Sequence, residues 1–406
     1  MEVIKWGGMI IGGLVWFILA FNAVYIFIFA LAARILRRPQ YPATERYARM
    51  VIFVPCYRGD AVILHTLPQN LKVDYPADRF KIVVIADGLQ PDTVKKLRRY
   101  SVESVEIVEV QFAESTKIKS LQAAARQVPT EAFDYAVVLD IDNVMDKAFL
   151  REMNKACQTS KTVIQGQRLA LNLNSPMAWL DGISEEINNR IFRAGHYRMG
   201  LSAAFIGSGK AMAFDFYKKL IPGISSVGED KEMEMQLLQD GMRIHYAPAA
   251  RVYDEKTQAI GNFKNQRRRW LAAQFFFLRK NIAKSFKALL TRGNLDYFDK
   301  VIQMTLVPRL LLLGISTFLG LLALWLPFYP PGQLWLANAL VVYGAFVLAL
   351  PRWAFHPYTL RAILALPRTF AVLLTTLFRL NGAHKKFIHT EHSTPNQKSH
   401  SHENRD

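Results

Sequence analysis

From residue 49 onward, short apolar runs alternate with helical stretches, and this alternation sets the fold class. Residues 50–55, 81–86, 105–110 and 136–140 read as strands, while 61–71, 92–100 and 117–128 carry helical spacing between them. Strand and helix in turn predict an α/β domain on a largely parallel sheet covered on both faces. Further helices are expected at 184–194, at 231–240 and through 266–270.

A second kind of segment frames this domain. Residues 9–33 are apolar and uncharged, about 25 positions, enough to cross a bilayer with some tilt. Residues 304–326 and 334–350 are also apolar; the turn between them carries no cation and Arg352 follows, which fits a hairpin beginning and ending in the cytosol. A last apolar stretch, 362–378, contains Pro367 and Arg368 and reads as an interfacial or re-entrant helix. The expected organisation is an anchor over 1–36, a cytosolic α/β domain over 37–260, interfacial amphipathic helices over 261–300, a membrane region over 301–384 and a disordered polar tail over 385–406.

Charge changes the picture by pointing to lipid. The 406 residues hold 51 Lys and Arg against 33 Asp and Glu, a net +18. The basic residues cluster beside apolar segments, at Arg34, Arg37 and Arg38, at Arg267–Arg269 and at Arg279–Lys287, where an anionic cytoplasmic leaflet attracts them. Phe275, Phe276, Phe277, Ile282 and Phe286 interleave with the last of these clusters, the mark of an interfacial helix. No nucleic-acid module signature is present, so nucleic acid is not an expected partner. The basic flank directly after 9–33, with no cleavage site, indicates an anchor with that flank in the cytosol. Cys56 and Cys157 match no metal or redox spacing and read as reduced core residues.

Candidate chemistry begins where the run 135–139 ends in Asp140-Ile141-Asp142. On a strand, the period of two puts both acids on one side at its carboxyl end, where open α/β sheets bind ligands. Two close carboxylates suit Mg²⁺ or Mn²⁺ bridging phosphates; a solvated strand end is the plainer alternative. The run 81–86 leads into Asp87-Gly88, where the acid can accept from a nucleobase N–H or form an ordinary turn. Lys119 can reach a diphosphate or simply face solvent. Gly207-Ser208-Gly209 allows close approach by a sugar-sized ligand, or marks a turn. Glu229-Asp230 opens a helix, so Asp230 is either a general base with Glu229 beside it or a helix-capping acid. Gln266, Arg269 and Trp270 share one helix face and suit a diphosphate and a sugar ring; a basic membrane-surface helix is compatible with the same residues. No Gly-x-Gly-x-x-Gly and no Walker sequence occurs, which removes the usual dinucleotide and P-loop readings.

In this order and spacing, Asp-Gly, Asp-x-Asp, Glu-Asp and Gln-x-x-Arg-Trp resemble the membrane-embedded family 2 glycosyltransferases, which include cellulose, chitin and hyaluronan synthases. The resemblance covers roughly residues 51–270 and implies a GT-A-type sheet domain with Mg²⁺ or Mn²⁺ as cofactor. It implies that Asp87 contacts the nucleobase, Asp140 holds the donor, Asp142 binds the metal and Asp230 is the base. Gln266, Arg269 and Trp270 then frame the pyrophosphate and acceptor sugar, and Lys119 lies near the nucleotide. Two departures stand out: Ala86-Asp87 replaces the frequent pair of acids, and Tyr57-Arg58-Gly59-Asp60 lacks the usual Asn-Glu.

One base and no second carboxylate as nucleophile imply an inverting transfer, from an α-linked nucleotide sugar, expected to be a UDP sugar, to a growing β-linked glycan. Expected partners are the donor, the glycan acceptor, membrane lipids and a homo-oligomer or export partner able to complete a conduit. Two alternatives are transfer of one sugar to a lipid or polyprenyl phosphate, and a non-catalytic nucleotide-sugar-binding subunit of a secretion complex. The expected location is the cytoplasmic membrane, with several spans and the catalytic domain facing the cytosol.

Overall fold

A single sheet of eight strands organises the described residues. They are β1 (Met50–Tyr57), β2 (Phe80–Asp87), β3 (Val105–Val110), β4 (Tyr135–Val138), β5 (Val144–Met145), β6 (Val163–Ala170), β7 (Lys210–Ala213) and β8 (His245–Asp254), in the order β3-β2-β1-β4-β7-β6-β8-β5. The computed structural model describes residues 2–100, 104–159, 162–256, 260–326 and 329–364, with the backbone alone at 2–5, 260–267 and 269. Strands β3, β2, β1 and β4 run parallel, as the alternation predicts. Beyond β4 the sheet is mixed: β7 is antiparallel to β4 and β6, β8 is parallel to β6, and β5 is antiparallel to β8.

The period of two explains how this sheet is covered. Val51, Phe53, Val83 and Ile85 point to the face closed by helices Lys117–Gln127 and Glu229–Gln239, through Leu121, Ala124, Met233 and Leu237. Met50, Ile52, Ile82 and Val84 point to the other face, against Ile63 and Leu67 of helix Asp60–Asn70 and Phe149 and Met153 of helix Phe149–Cys157. Each such side chain contributes roughly 1.5–3 kcal/mol on burial. Cys56 and Cys157 are both buried and unbridged in this core.

One expectation needs correction. β4 ends at Val138, where its pairing with Phe53 of β1 and Lys210 of β7 runs out. Asp140 and Asp142 therefore lie on a turn and not at alternate strand positions, with the Asn143 N–H donating to the Asp140 carbonyl at 3.0 Å. The turn reverses the chain into β5.

Helix boundaries also differ from the sequence reading. The segment expected at 184–194 is helix Pro176–Asn188 running on into a π-helical stretch, Asn189–Gly195, and the expected 266–270 helix is one part of Ile260–Arg292.

The first apolar segment is one helix, Glu2–Ile35, and the third is helix Gly332–Ala349; both are long and apolar enough to cross a membrane. The segment expected as one span at 304–326 is broken. Helix Leu295–Gln303 ends before it and Pro308 starts a new helix, Arg309–Leu322, whose 14 residues reach about 21 Å, short of a ~30 Å hydrocarbon core. Arg34 joins the two long helices by donating to the carbonyls of Leu348 and Leu350 at 2.8 and 3.1 Å. Gly195 meets the first helix so closely that a Cβ there would lie 2.2 Å from the Phe29 carbonyl oxygen, and the His196 ring stacks on Phe29 at 3.5 Å. Most of the stretch 362–378 and the tail 385–406 lie outside the described residues.

Candidate active site

The site is assembled where β1, β2 and β4 end. Asp87, the last residue of β2, is buried, and its carboxylate accepts from Ser115 Oγ at 3.0 Å and from Ser120 Oγ at 3.5 Å. Both serines belong to the entry of helix Lys117–Gln127, which Thr116 caps by accepting from the Lys119 N–H. A cleft of about 920 Å³ opens in front of Asp87, lined also by Tyr57, Arg58, Gly88, Ser115 and Thr116.

Beside it stands a cluster of acids around one lysine. Lys117 Nζ lies 2.5 Å from Asp140 Oδ1 and 3.2 Å from Glu229 Oε1, and donates to the Gly207 carbonyl at 2.9 Å. Gly207 is the floor of this cluster. A Cβ there would stand 3.1 Å from Lys117 Nζ and 3.8 Å from both Asp140 Oδ2 and Asp230 Oδ2. Asp230 therefore converges with Asp140, although 89 intervening residues separate them in sequence. Ser208 fixes the turn: its Oγ accepts from the Asp140 N–H at 3.0 Å and donates to Asn143 Oδ1, while Asn143 Nδ2 donates to Asp142 Oδ1 at 2.9 Å.

The electrostatics follow from burial in a low-dielectric wall. Burial pushes the Asp140 carboxyl up, but Lys117 outweighs it and holds Asp140 below the usual carboxylate range. Glu229 ends above its usual range, raised by burial and by Asp230 against the pull of Lys117. Burial also works against the Lys117 ammonium, yet Asp140 and Glu229 raise its pKa overall. Lys210, wholly buried beside them with its ammonium 4.3 Å from the Phe205 ring, is lowered to about 8 by burial and by Lys117.

Helix Ile260–Arg292 packs beside the site at Gly228. A Cβ on Gly228, next to Glu229, would lie 3.5 Å from Phe277 Cε2 and 3.9 Å from Ala273 Cβ. Trp270, Ala273 and Phe277 follow the i, i+3, i+7 spacing of one helix face, so Trp270 lies one turn before that contact; the residue is 44% exposed. The side chains of Gln266 and Arg269 lie outside the described residues.

Lys119 is the sequence-predicted residue that stands apart. It is exposed and donates to the Glu114 carbonyl at 2.7 Å, whereas Lys117 reaches the acids. Helical spacing carries the signal for the difference. Lys117 shares a face with Leu121 and Ala124, both buried, while Lys119 shares one with Gln122 and Arg126. Lys210 was also missed, because a lysine opening a short apolar run looks like a strand boundary.

For a metal, Asp140 and Asp142 supply hard oxygens from one turn. Among the described residues no group of three or more His, Cys, Asp or Glu side chains forms a cage. A partial set of this kind fits Mg²⁺ or Mn²⁺, which bind through one or two carboxylates and complete their shell with substrate phosphates and water.

A mixed sheet with acids at the ends of its parallel strands and a second acid pair on an opposing helix is a GT-A-type architecture. The family model described as glycosyltransferase like family 2 matches residues 48–273, and the chain belongs to that family. A curated relative, the probable glycosyltransferase YdaM of Bacillus subtilis, is 21% identical over 258 residues, covering 62% of this chain. The matched region spans 61% of that relative's length. Among solved structures, the mannosyltransferase PcManGT of Pyrobaculum calidifontis, in complex with GDP-Man and Mn²⁺, superposes with a TM-score of 0.52 at 15% identity, over 82% of this chain and 96% of that one. S. aureus TarS 1–349 in complex with UDP-GlcNAc superposes with a TM-score of 0.40 at 14% identity, over 74% of this chain and 90% of that one.

Proposed function

We propose that this chain is a membrane-bound, inverting glycosyltransferase that moves a sugar from a nucleotide donor, a UDP sugar on the sequence reading, onto a growing β-linked glycan. The observation that carries this reading is the convergence of Asp140, Lys117, Glu229 and Asp230 around Gly207, beside the cleft that Asp87 lines.

In this reading the nucleoside lies in the Asp87 cleft and its diphosphate extends over the Asp140–Asp142 turn. A divalent ion held there by Asp142, with Asp140 beside it, would neutralise charge on the departing diphosphate. The acceptor hydroxyl enters on the Asp230 side. Asp230 takes its proton as the oxygen attacks the anomeric carbon and the bond to the diphosphate oxygen breaks, so one displacement inverts the configuration. Lys117 fixes Asp140 and Glu229 relative to each other, which keeps Asp230 at a set distance from the donor. Arg269 and Gln266 are assigned to the pyrophosphate and Trp270 to the acceptor ring. The long apolar helices and their basic flanks support placement in the cytoplasmic membrane with the sheet domain in the cytosol.

Incubating the purified protein in detergent with individual nucleotide sugars and Mg²⁺ or Mn²⁺, then sizing and linkage-typing the product, tests this reading. A β-linked oligomer is expected. An organic-soluble single-sugar lipid, or no turnover with any donor, would replace it.

A further inference from the structure

Three consecutive residues form the floor under the acids, and a side chain from a different element holds each of them. The Gly207 carbonyl accepts from Lys117 Nζ at 2.9 Å, and the Ile206 N–H donates to Gln165 Oε1, on β6, at 3.0 Å. The Phe205 N–H donates to Glu234 Oε1 at 2.8 Å. Glu234 stands four residues after Asp230 on helix Glu229–Gln239, so the two carboxylates share one helix face. Of the three side chains, Glu234 is the one carried by the helix of Asp230.

Glu234 is fully buried. Its Oε2 accepts from Lys231 Nζ at 2.5 Å, and the Nζ of Lys300, also buried, lies 4.0 Å from Oε1. Burial pushes the Glu234 carboxyl up, but Lys231 and Lys300 outweigh it and hold it below the usual range. Lys300 belongs to helix Leu295–Gln303 and also donates to the Ser202 carbonyl at 3.4 Å, three residues before Phe205. A buried acid between lysines is a weak device for stability, because apolar residues of similar volume commonly do as well or better. An apolar residue cannot accept from the Phe205 N–H, and that bond joins the floor to the helix of the base.

We propose that Glu234 is a positioning residue: by holding the Phe205 N–H from the helix that carries Asp230, it fixes how far the base stands from the floor at Gly207. Its charge keeps the buried Lys300 ammonium in place, and its hydrogen bond sets the geometry. A displacement of roughly 1 Å between base and acceptor is enough to cost up to about a hundredfold in rate, so this one bond has catalytic weight without touching a reacting atom. The inference rests on the reading of Asp230 as base and adds to it the residue that sets its place.

The test compares two double variants of the full-length protein in detergent, because replacing Glu234 alone strands the buried Lys300 charge and endangers the fold. Glu234→Gln with Lys300→Met keeps an acceptor for the Phe205 N–H, and Glu234→Leu with Lys300→Met removes it. Lys231 is partly exposed and stays as it is. Both variants are expected to melt close to wild type and to bind UDP or GDP with Mn²⁺ within about twofold of it, since the Asp87 cleft is untouched. The glutamine variant is expected to retain kcat to within about threefold, while the leucine variant loses at least about tenfold. Hydrogen exchange over residues 203–209, read by mass spectrometry, is expected to be at least about tenfold faster in the leucine variant than in the glutamine variant. Equal kcat in the two variants, equal exchange over the floor, or a loss of nucleotide affinity that matches the loss of kcat would overturn the positioning role. Wild-type protein that turns over no nucleotide sugar would instead overturn the transferase reading, and the exchange comparison would still decide whether Glu234 holds the floor.

Discussion

Lys117 Nζ lies 2.5 Å from Asp140 Oδ1, so the helix after β3 and the turn after β4 meet through one ion pair at the centre of the site. The same ammonium reaches Glu229, which makes it the point where three separate elements are tied together. Removing it leaves two largely buried carboxylates without their counter-charge. Lys117→Met is expected to cost about 3 kcal/mol of stability and to abolish sugar transfer, whereas Lys119→Ala, at an exposed position, costs less than about 0.5 kcal/mol. Denaturant unfolding of the two variants side by side checks this.

Gly207 is expected to tolerate no side chain without a loss of rate. A Cβ 3.1 Å from Lys117 Nζ is tighter than ordinary contact and pushes the lysine away from the acids. Gly207→Val should lower kcat by roughly tenfold or more, about 1.4 kcal/mol of barrier, with a smaller effect on donor affinity. Steady-state kinetics separate the two parameters.

Lys210 makes stability depend on pH in the alkaline range. Its folded pKa is lowered from 10.5 to about 8, so between those values the unfolded chain binds more protons than the folded one. The stabilising contribution therefore rises as pH increases through that window, and the full penalty of burying the charge is present below it. Lys210→Met removes this dependence and should relieve on the order of 3 kcal/mol at neutral pH. Thermal unfolding of both proteins from pH 7 to pH 10.5 measures the slope.

Trp270 separates folding from function. The residue is 44% exposed, so Trp270→Ala is expected to change stability by less than about 1 kcal/mol while sugar transfer is lost. Melting curves and a transfer assay on one preparation test both halves of that statement.

The parallel half of the fold was legible because strands buried on both faces read as continuous apolar runs, as in Met50–Tyr57 and Phe80–Asp87. The mixed half was not, since β5 and β7 have only two and four residues and their pairing is set by partners distant in sequence. The acids that converge around Gly207 were legible as candidates because carboxylates at strand and helix ends stand out against apolar neighbours. Lys117 and Lys119 could not be told apart by charge alone, because which of them turns to the acids depends on the helix face. The turn that carries Asp140 and Asp142 could not be told from a strand end, because it is closed by Ser208 and Asn143, and the serine belongs to a loop more than sixty residues away.

The central claim is that Asp230 accepts the acceptor's proton beside a donor bound over Asp140 and Asp142. Transfer of radiolabelled sugar by Asp230→Asn, alongside donor binding to the same protein, tests it most directly. Donor affinity within about twofold of wild type together with loss of at least about a thousandfold in transfer is the expected result. Turnover by Asp230→Asn at the wild-type rate would contradict it.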